Sequence, residues 1–163
     1  MILGIDPGVS GAFALIDPFT KKIVAVEDMP TVVVTINKKN RNVISAPLIV
    51  DIVKRFNPTK AVLEKVGVRP GEGGVGAFTF GRGVGQIEGI LAALGVPLES
   101  VLPATWKRKL DVPADKGGAR MKAMTLFPER AADFKRVKDD GRAESALIAY
   151  YGVLAANFGS GVR

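Results

Sequence analysis

The sequence predicts an α/β protein in which a mixed five-stranded sheet is flanked by helices. Residues 1–16 contain two apolar runs separated by a Gly-Val-Ser-Gly turn, which is typical of an antiparallel hairpin. Residues 46–66 contain a helical pattern followed by another apolar run, which indicates a crossover to a further strand. Helical patterns then dominate the second half of the chain. These observations favour one sheet that combines antiparallel with crossover-connected strands.

Five strands are predicted in chain order. Residues 1–16 supply two of them, and residues 21–30 supply a third that ends at a proline. Residues 60–66 form a buried strand, and residues 96–102 form a short final strand. Residues 31–43 combine a β-branched run with a basic polar patch, and we interpret them as a mobile or edge segment.

The helical patterns and turn residues predict five helices. The first three lie at residues 46–56, 77–94 and 103–110. The fourth follows a turn at 114–118 and ends near 127, and the fifth begins at 139. A glycine-rich surface loop is expected at residues 67–76. The final helix has an apolar face at Ala143, Leu147, Tyr150, Leu154 and Phe158.

Small residues recur every four positions along the second predicted helix, at Ala77, Gly81, Gly85, Gly89 and Ala93. This spacing leaves one helix face almost without side chains, so another backbone can approach closely. We expect the face to pack on the sheet or on a second subunit rather than to bind phosphate.

Composition limits the chemistry that is available. The 163 residues fit a single domain, 1–163, and include neither cysteine nor histidine. Disulfides, thiolate-zinc sites and every histidine-based catalytic device are therefore excluded. Catalysis would have to use carboxylates, lysines or a metal ion held by oxygen atoms.

The charge balance favours a polyanionic partner. The formal net charge is +7 and the pI is near 9.8, which indicates nucleic acid first and an anionic membrane second. Met1 leads straight into a predicted strand, and no apolar run approaches the roughly 18 residues of a membrane helix. We therefore expect a cytoplasmic, intracellular protein without a membrane partner.

Four acidic residues form the candidate site. Asp6 and Glu64 each end an apolar strand, where an unpaired carboxylate is costly to desolvate. Asp140 and Glu144 are four residues apart and share one helix face. Converging carboxylates repel one another and become tolerable when divalent cations lie between them. Oxygen ligands alone favour Mg²⁺ or Mn²⁺, and two such ions can drive hydrolysis of a phosphodiester.

Each acid also has a purely structural explanation. Asp6 can cap its own turn, and Glu64 can pair with a neighbouring lysine or arginine. Asp139 or Asp140 can cap the last helix, and Glu144 can be a solvated helix residue. The four acids together make these explanations less attractive than any one of them is alone.

Several motifs, in an order that covers nearly the whole chain, resemble the RuvC-type Holliday junction resolvases, and most closely their phage-type branch. In chain order they are Ile5-Asp6-Pro7-Gly8 with its Ser-Gly turn, Leu63-Glu64, Gly81-Arg82-Gly83-Val84-Gly85-Gln86-Ile87-Glu88-Gly89, Val101-Leu102-Pro103-Ala104-Thr105-Trp106-Lys107, Ala114-Asp115-Lys116, and Asp140-Gly-Arg-Ala-Glu144-Ser-Ala-Leu-Ile-Ala. Each motif is weak alone, and the ordered set is specific.

The resemblance implies an RNase H-like nuclease domain that forms a homodimer and nicks two strands of a four-way DNA junction with Mg²⁺ (or Mn²⁺). It implies that Asp6, Glu64, Asp140 and Glu144 are the metal ligands. It also implies that Lys116 lies near the scissile phosphate, where a cation can stabilise developing charge. A phage or prophage origin would fit this branch. No nucleotide cofactor is expected.

The chain departs from the bacterial pattern at two places. That pattern has two acids three residues apart on the last helix, and here the spacing from Glu144 falls on Gly141. Asp140 must therefore serve as the third ligand, with Asp139 as the other candidate. The bacterial loop after the second acid carries an aromatic residue that wedges into the junction, and here no aromatic follows until Phe78 and Phe80.

Basic residues are expected to contact the DNA backbone, which fixes the duplex without reading its sequence and makes binding steeply salt-dependent. The candidates are Arg69, Arg82, Lys107, Arg108, Lys109, Lys116, Arg120 and Lys122. Some of them are expected to be solvated helix residues. Trp106 is interpreted as a core or interface residue rather than a platform for stacked bases.

Three alternatives stay open. The N-terminal hairpin also resembles the phosphate-binding hairpin of actin-like ATPases and sugar kinases, although 163 residues leave no room for their second half. A nuclease of the same fold could act on other branched or flapped DNA, or on RNA–DNA hybrids. A non-catalytic DNA-binding module is the third, and the presence of all four acids argues against it.

Overall fold

The computed structural model describes residues 1–36, 38–67 and 73–159, with only the backbone for 157–159. In chain order the elements are β1 (Ile2–Asp6), β2 (Ala12–Ile16), β3 (Ile23–Asp28), β4 (Thr31–Ile36), β5 (Lys39–Ile44), α1 (Ala46–Phe56), β6 (Lys60–Glu64), α2 (Gly74–Ala93), β7 (Leu98–Val101), α3 (Pro103–Lys109), α4 (Gly118–Leu126), two 3₁₀ helices (Pro128–Phe134 and Val137–Asp139) and α5 (Asp140–Gly159). The boundaries of the five strands of the main sheet and of the five α-helices lie within a few residues of those predicted.

Five strands form the central sheet in the order β3-β2-β1-β6-β7. β1 pairs antiparallel with β2 and parallel with β6, and β6 pairs parallel with β7. The mixed five-stranded sheet is therefore confirmed. Ile5 pairs with Leu63, so the next residues along each strand, Asp6 and Glu64, end side by side at one edge of the sheet.

Helices cover both faces of this sheet. Side chains alternate along a strand, so Leu3 and Ile5 enter the core beneath α1 and α2, whereas Ile2 faces α5 on the other side. Gly4 lies where α5 crosses β1, and a Cβ atom there would stand 2.1 Å from the backbone oxygen of Ser145. That contact admits only glycine, and it fixes α5 directly over the central strand.

The segment 31–43 holds a β-hairpin that the sequence interpretation missed. β4 and β5 form their own two-stranded antiparallel sheet, paired from Thr31 with Ile44 to Ile36 with Lys39. Lys38 in the turn adopts a left-handed backbone with φ of 61°. β5 was not predicted as a strand because its side chains are mostly exposed and polar, so its sequence shows no apolar alternation.

The small-residue stripe of α2 faces away from the sheet. No atom lies within 4 Å of the position that a Cβ would take at Gly81, Gly85 or Gly89. Ile87 and Leu91 are buried against the sheet instead. Of the two expected packing partners, the sheet is therefore excluded for this stripe, and the second subunit stays a prediction. The stripe and the buried row are two residues out of phase, about 200° around the helix, and burial of the large side chains stabilises that orientation.

The last helix is buried over more of its circumference than one apolar stripe predicts. Ala143 and Leu147 are fully buried as expected, and Tyr150 and Leu154 are partly buried. The side chain of Phe158 lies outside the described residues. No helix within the described ranges is both long and apolar enough to cross a membrane.

Candidate active site

Three elements bring the acidic residues to one edge of the sheet. β1 and β6 end in Asp6 and Glu64 at that edge. The first turn of α5 arrives there because Gly141 packs against the β1–β2 turn: a Cβ on Gly141 would stand 2.3 Å from the backbone oxygen of Ser10. Glu144, one helical turn further along, therefore faces the strand ends.

The surroundings of the Asp6 carboxyl group shift its pKa strongly. Its pKa is raised from the ordinary 3.8 to about 7, first by burial and then by the negative charges of Glu144 and Glu64. The backbone N–H of Gly8, 3.3 Å from Asp6 Oδ1, and the charge of Lys107 act in the opposite direction on this pKa. Asp6 therefore also caps its turn, as the structural explanation supposed, while it lies within the field of two other acids.

Helix α3 supplies the partners of Glu64 and Glu144. The indole Nε1–H of the fully buried Trp106 donates a hydrogen bond of 2.9 Å to Glu64, which is 7% exposed. The next residue, Lys107, donates from Nζ to Glu144 Oε1 at 2.7 Å. The Lys107 ammonium also lies 5.0 Å from the centre of the Trp106 ring, within cation–π distance.

Asp139 and Asp140 have different surroundings. Asp139 is almost fully buried, and the Arg136 side chain and backbone N–H donate to its carboxylate at 2.8–3.1 Å. The hydrogen bonds from the Arg136 side chain lower the pKa of Asp139. Asp140 is about half exposed and accepts a bond of 2.7 Å from Arg120 Nε. Asp139 thus closes a turn before α5, whereas Asp140 pairs with one partly exposed arginine.

The donor set suits a hard divalent cation. With these side-chain positions, no three acidic residues in the described ranges are grouped closely enough to hold one metal ion. Glu144 and Asp140 are paired with Lys107 and Arg120 instead. The repulsion that raises the pKa of Asp6 is nevertheless one that a bound cation would relieve, and oxygen donors match the preference of Mg²⁺ or Mn²⁺.

Comparison with solved structures identifies the architecture. Thermus thermophilus RuvC in complex with a Holliday junction substrate superimposes with a TM-score of 0.71 at 16% identity, over 98% of this chain and 96% of that one. A second T. thermophilus RuvC structure gives 0.64 at 17% identity over the same shares. The chain has a RuvC-like fold. The fowlpox virus Holliday junction resolvase gives 0.57 at 15% identity, over 95% of this chain and 98% of that one. Neither a protein-family model nor a curated protein matches the sequence.

The basic residues that were predicted to contact DNA differ in their exposure to solvent in this RuvC-like fold. Arg82, Arg108, Lys109 and Lys116 are exposed, and Lys122 is partly buried on α4. Arg69 lies outside the described residues.

Two of the predicted DNA contacts are engaged with candidate ligands. Lys107 and Arg120 form ion pairs with Glu144 and Asp140. The sequence analysis missed these pairs and the bond between Trp106 and Glu64. The partners lie 37, 20 and 42 residues apart in the chain, and no sequence spacing signals such contacts.

Phe78 and Phe80 are the first aromatic residues after Glu64. Phe78 is 73% exposed near the start of α2, and Phe80 is partly buried. Trp106 has the core position that the sequence predicted. Its bond to Glu64 also makes it part of the site.

Proposed function

We propose that this protein is a Mg²⁺- or Mn²⁺-dependent endonuclease that resolves four-way DNA junctions by paired nicks. The observation that carries the proposal is the convergence of Asp6, Glu64 and Glu144 where β1, β6 and the first turn of α5 meet. A carboxyl that is repelled by Glu64 and Glu144 would be stabilised by a cation bound close to it. The RuvC-like fold supports this position as the site of chemistry.

Asp6, Glu64, Asp140 and Glu144 are the proposed metal ligands. Divalent ions bound by these carboxylates would activate a water molecule and stabilise the leaving oxygen of the phosphodiester. Asp140 is preferred over Asp139, because each carboxylate oxygen of Asp139 already accepts bonds from Arg136 in a buried position. Asp140 is paired with one partly exposed arginine and can exchange that partner more readily.

Lysines are proposed to stabilise charge at the scissile phosphate. Lys116 retains the role that the resemblance implied, in an exposed turn before α4. Lys107 joins it, because its ammonium already lies against Glu144. A cation at this position can hold a phosphate oxygen once the metal ions neutralise the acids.

The substrate class rests on the fold and the charge. The T. thermophilus RuvC structure with the highest TM-score given above contains a Holliday junction substrate. The net charge of +7 favours a polyanion. The proposed DNA contacts are Arg69, Arg82, Lys107, Arg108, Lys109, Lys116, Arg120 and Lys122.

A homodimer is proposed because paired nicks need two active sites. The exposed glycines at positions 81, 85 and 89 of α2 offer a face on which a second helix can lie closely. Gly85→Leu is expected to lower the dimer fraction in sedimentation at micromolar concentration. Ala156→Leu, on an exposed position of α5, is expected to leave it unchanged. A wild-type chain that sediments as a monomer would contradict this part of the proposal.

The function is tested by incubating the protein with a synthetic immobile four-way junction, a flap and a matched linear duplex. Mg²⁺ is present, and the Asp6→Asn variant runs in parallel. We expect symmetric nicks on the junction alone, and their loss in the variant. Equal cutting of flaps would keep the metal chemistry and widen the substrate class. Tight junction binding without cutting, in Mg²⁺ or Mn²⁺, would indicate a non-catalytic module.

A further inference from the structure

Trp106 is a core residue whose polar contacts lead to two of the candidate ligands. It is the only tryptophan in the chain and is fully buried in the core between α3, α5 and the sheet. Its Nε1–H donates to Glu64 Oε1 at 2.9 Å, and its ring lies 5.0 Å from the Lys107 ammonium. Lys107 in turn bonds to Glu144. One indole therefore contacts Glu64 directly and Glu144 through Lys107.

The position of α3 makes this contact rigid. The helix begins at Pro103, immediately after β7 and Leu102, and β7 is the parallel neighbour of the strand that ends in Glu64. Trp106 is held on all sides by packed side chains, so its N–H points in one fixed direction. A hydrogen bond from a fixed donor restricts the orientation of the Glu64 carboxylate. Phenylalanine would fill most of the same space without that restriction.

We propose that Trp106 is a positioning residue of the acidic site: its N–H orients the Glu64 carboxylate, and its ring supports the lysine that pairs with Glu144. This proposal rests on the proposed function, because it treats Glu64 as a metal ligand. Partners that orient a ligand contribute to metal affinity without touching the metal. Trp106 is not itself a catalytic residue.

The test compares Trp106→Phe with Phe127→Leu. Both replace a buried aromatic of the same core, but Phe127 is not a member of the acidic site. We expect Trp106→Phe to raise the Mn²⁺ dissociation constant about tenfold in calorimetry. Its cleavage rate should fall at low Mg²⁺ and recover at high Mg²⁺, with unchanged junction affinity. Phe127→Leu should lose stability and keep the wild-type Mn²⁺ dissociation constant.

A second measurement needs no variant. Because Trp106 is the only tryptophan, the protein has a single indole N–H resonance. We expect this resonance to shift when Mg²⁺ is added, with the same midpoint as calorimetric binding. A stationary resonance during proven Mg²⁺ binding would overturn the proposal even if Trp106→Phe fails to fold.

The outcomes separate this proposal from the function on which it rests. A folded Trp106→Phe variant with wild-type Mn²⁺ affinity would overturn the positioning role and leave the nuclease intact. A wild-type protein that neither binds Mn²⁺ nor cuts the junction would overturn both.

Discussion

Asp6 is the single residue whose pKa shows most directly how folding changes the electrostatics of the candidate site. Asp6 ends a buried strand, next to Glu64 at the end of the neighbouring strand. Burial and the negative charges of Glu144 and Glu64 raise the pKa of its carboxyl to about 7. The unfolded chain loses this proton near the ordinary pKa of 3.8, whereas the folded chain keeps it until about pH 7. The contribution of Asp6 to stability therefore falls as the pH rises from about 4 to about 7, and is constant above that range.

Asp6→Asn should remove this pH-dependent loss in metal-free protein. Asparagine cannot ionise, and its side-chain oxygen can still accept from Gly8. At pH 8 with EDTA, we expect the variant to exceed the wild type in free energy of unfolding by up to about 4 kcal/mol, since a tenfold change in proton affinity corresponds to about 1.4 kcal/mol. The difference should shrink towards pH 4.5. Urea unfolding at both pH values measures it.

Asp51→Asn serves as the control for this experiment. Asp51 is exposed on α1, on the opposite face of the sheet from α5. Its substitution should give a small effect of similar size at both pH values. An Asp6→Asn variant that behaves in the same way would show that the raised pKa of Asp6 is wrong.

At the scale of elements, the site depends on how α5 meets the β1–β2 turn. Gly141 lies in the first turn of α5 and touches the backbone of Ser10 and Gly11. No side chain fits there, so the acid that the bacterial pattern has at this spacing cannot be accommodated in this arrangement. The adjacent position carries Asp140 instead. The glycine at position 141 therefore permits the close approach of two backbones.

Gly141→Ala should consequently destabilise the protein. The added Cβ would stand 2.3 Å from the backbone oxygen of Ser10, which cannot rotate away. We expect a loss of about 1–3 kcal/mol in the free energy of unfolding, typical of overpacking. The shift of α5 should also lower junction cleavage. Urea unfolding followed by circular dichroism measures the loss.

Gly74→Ala is the matched substitution, because Gly74 also lies in the first turn of a helix but has no atom within 4 Å of its Cβ position. It should leave stability unchanged or raise it slightly through lower backbone entropy of the unfolded chain. Equal stability of the two alanine variants would contradict the close contact at Gly141.

For the molecule as a whole, the chain is basic although its candidate site is acidic. The chain carries 23 basic and 16 acidic residues, yet the strand ends and α5 concentrate acids at one edge of the sheet. Arg82, Arg108, Lys109 and Lys116 are exposed, whereas Lys107 and Arg120 pair with Glu144 and Asp140 at the acidic site. A net charge of +7 favours a polyanion such as the proposed DNA substrate.

Junction binding should therefore be strongly salt-dependent. If four of the eight proposed cations contact phosphates, the affinity should fall about 100-fold between 50 and 200 mM salt, because each neutralised phosphate releases counterions. Lys116→Ala should reduce the slope of log affinity against log salt by about 1. Fluorescence anisotropy with a labelled junction, in Ca²⁺ to prevent cleavage, gives both values.

Lys54→Ala is the control for the salt series. Lys54 is exposed on α1, which packs on the face of the sheet opposite α5. It should leave the slope unchanged. If both substitutions reduced the slope equally, the salt dependence would come from the net charge of the protein and not from specific contacts between lysines and phosphates.

The strand pattern, the two acids at strand ends and the acid pair on the last helix were all predictable from the sequence. These features are local: alternation, helical period and turn residues are readable within a few positions. The order of motifs added the RuvC-like architecture, and the fold confirms it. The same local signals failed for β5, whose exposed residues show no apolar alternation.

The partners of the acids could not be predicted from the sequence and are seen in the folded chain. The bonds from Trp106 to Glu64, Lys107 to Glu144 and Arg120 to Asp140 join residues that are distant in the chain. The tertiary structure also determines which face of α2 is buried, because the small-residue stripe and the buried row of Gly83, Ile87 and Leu91 both repeat every four residues. The physical reason is the same in each case: hydrogen bonds and burial depend on distances between elements, and a one-dimensional pattern does not contain those distances.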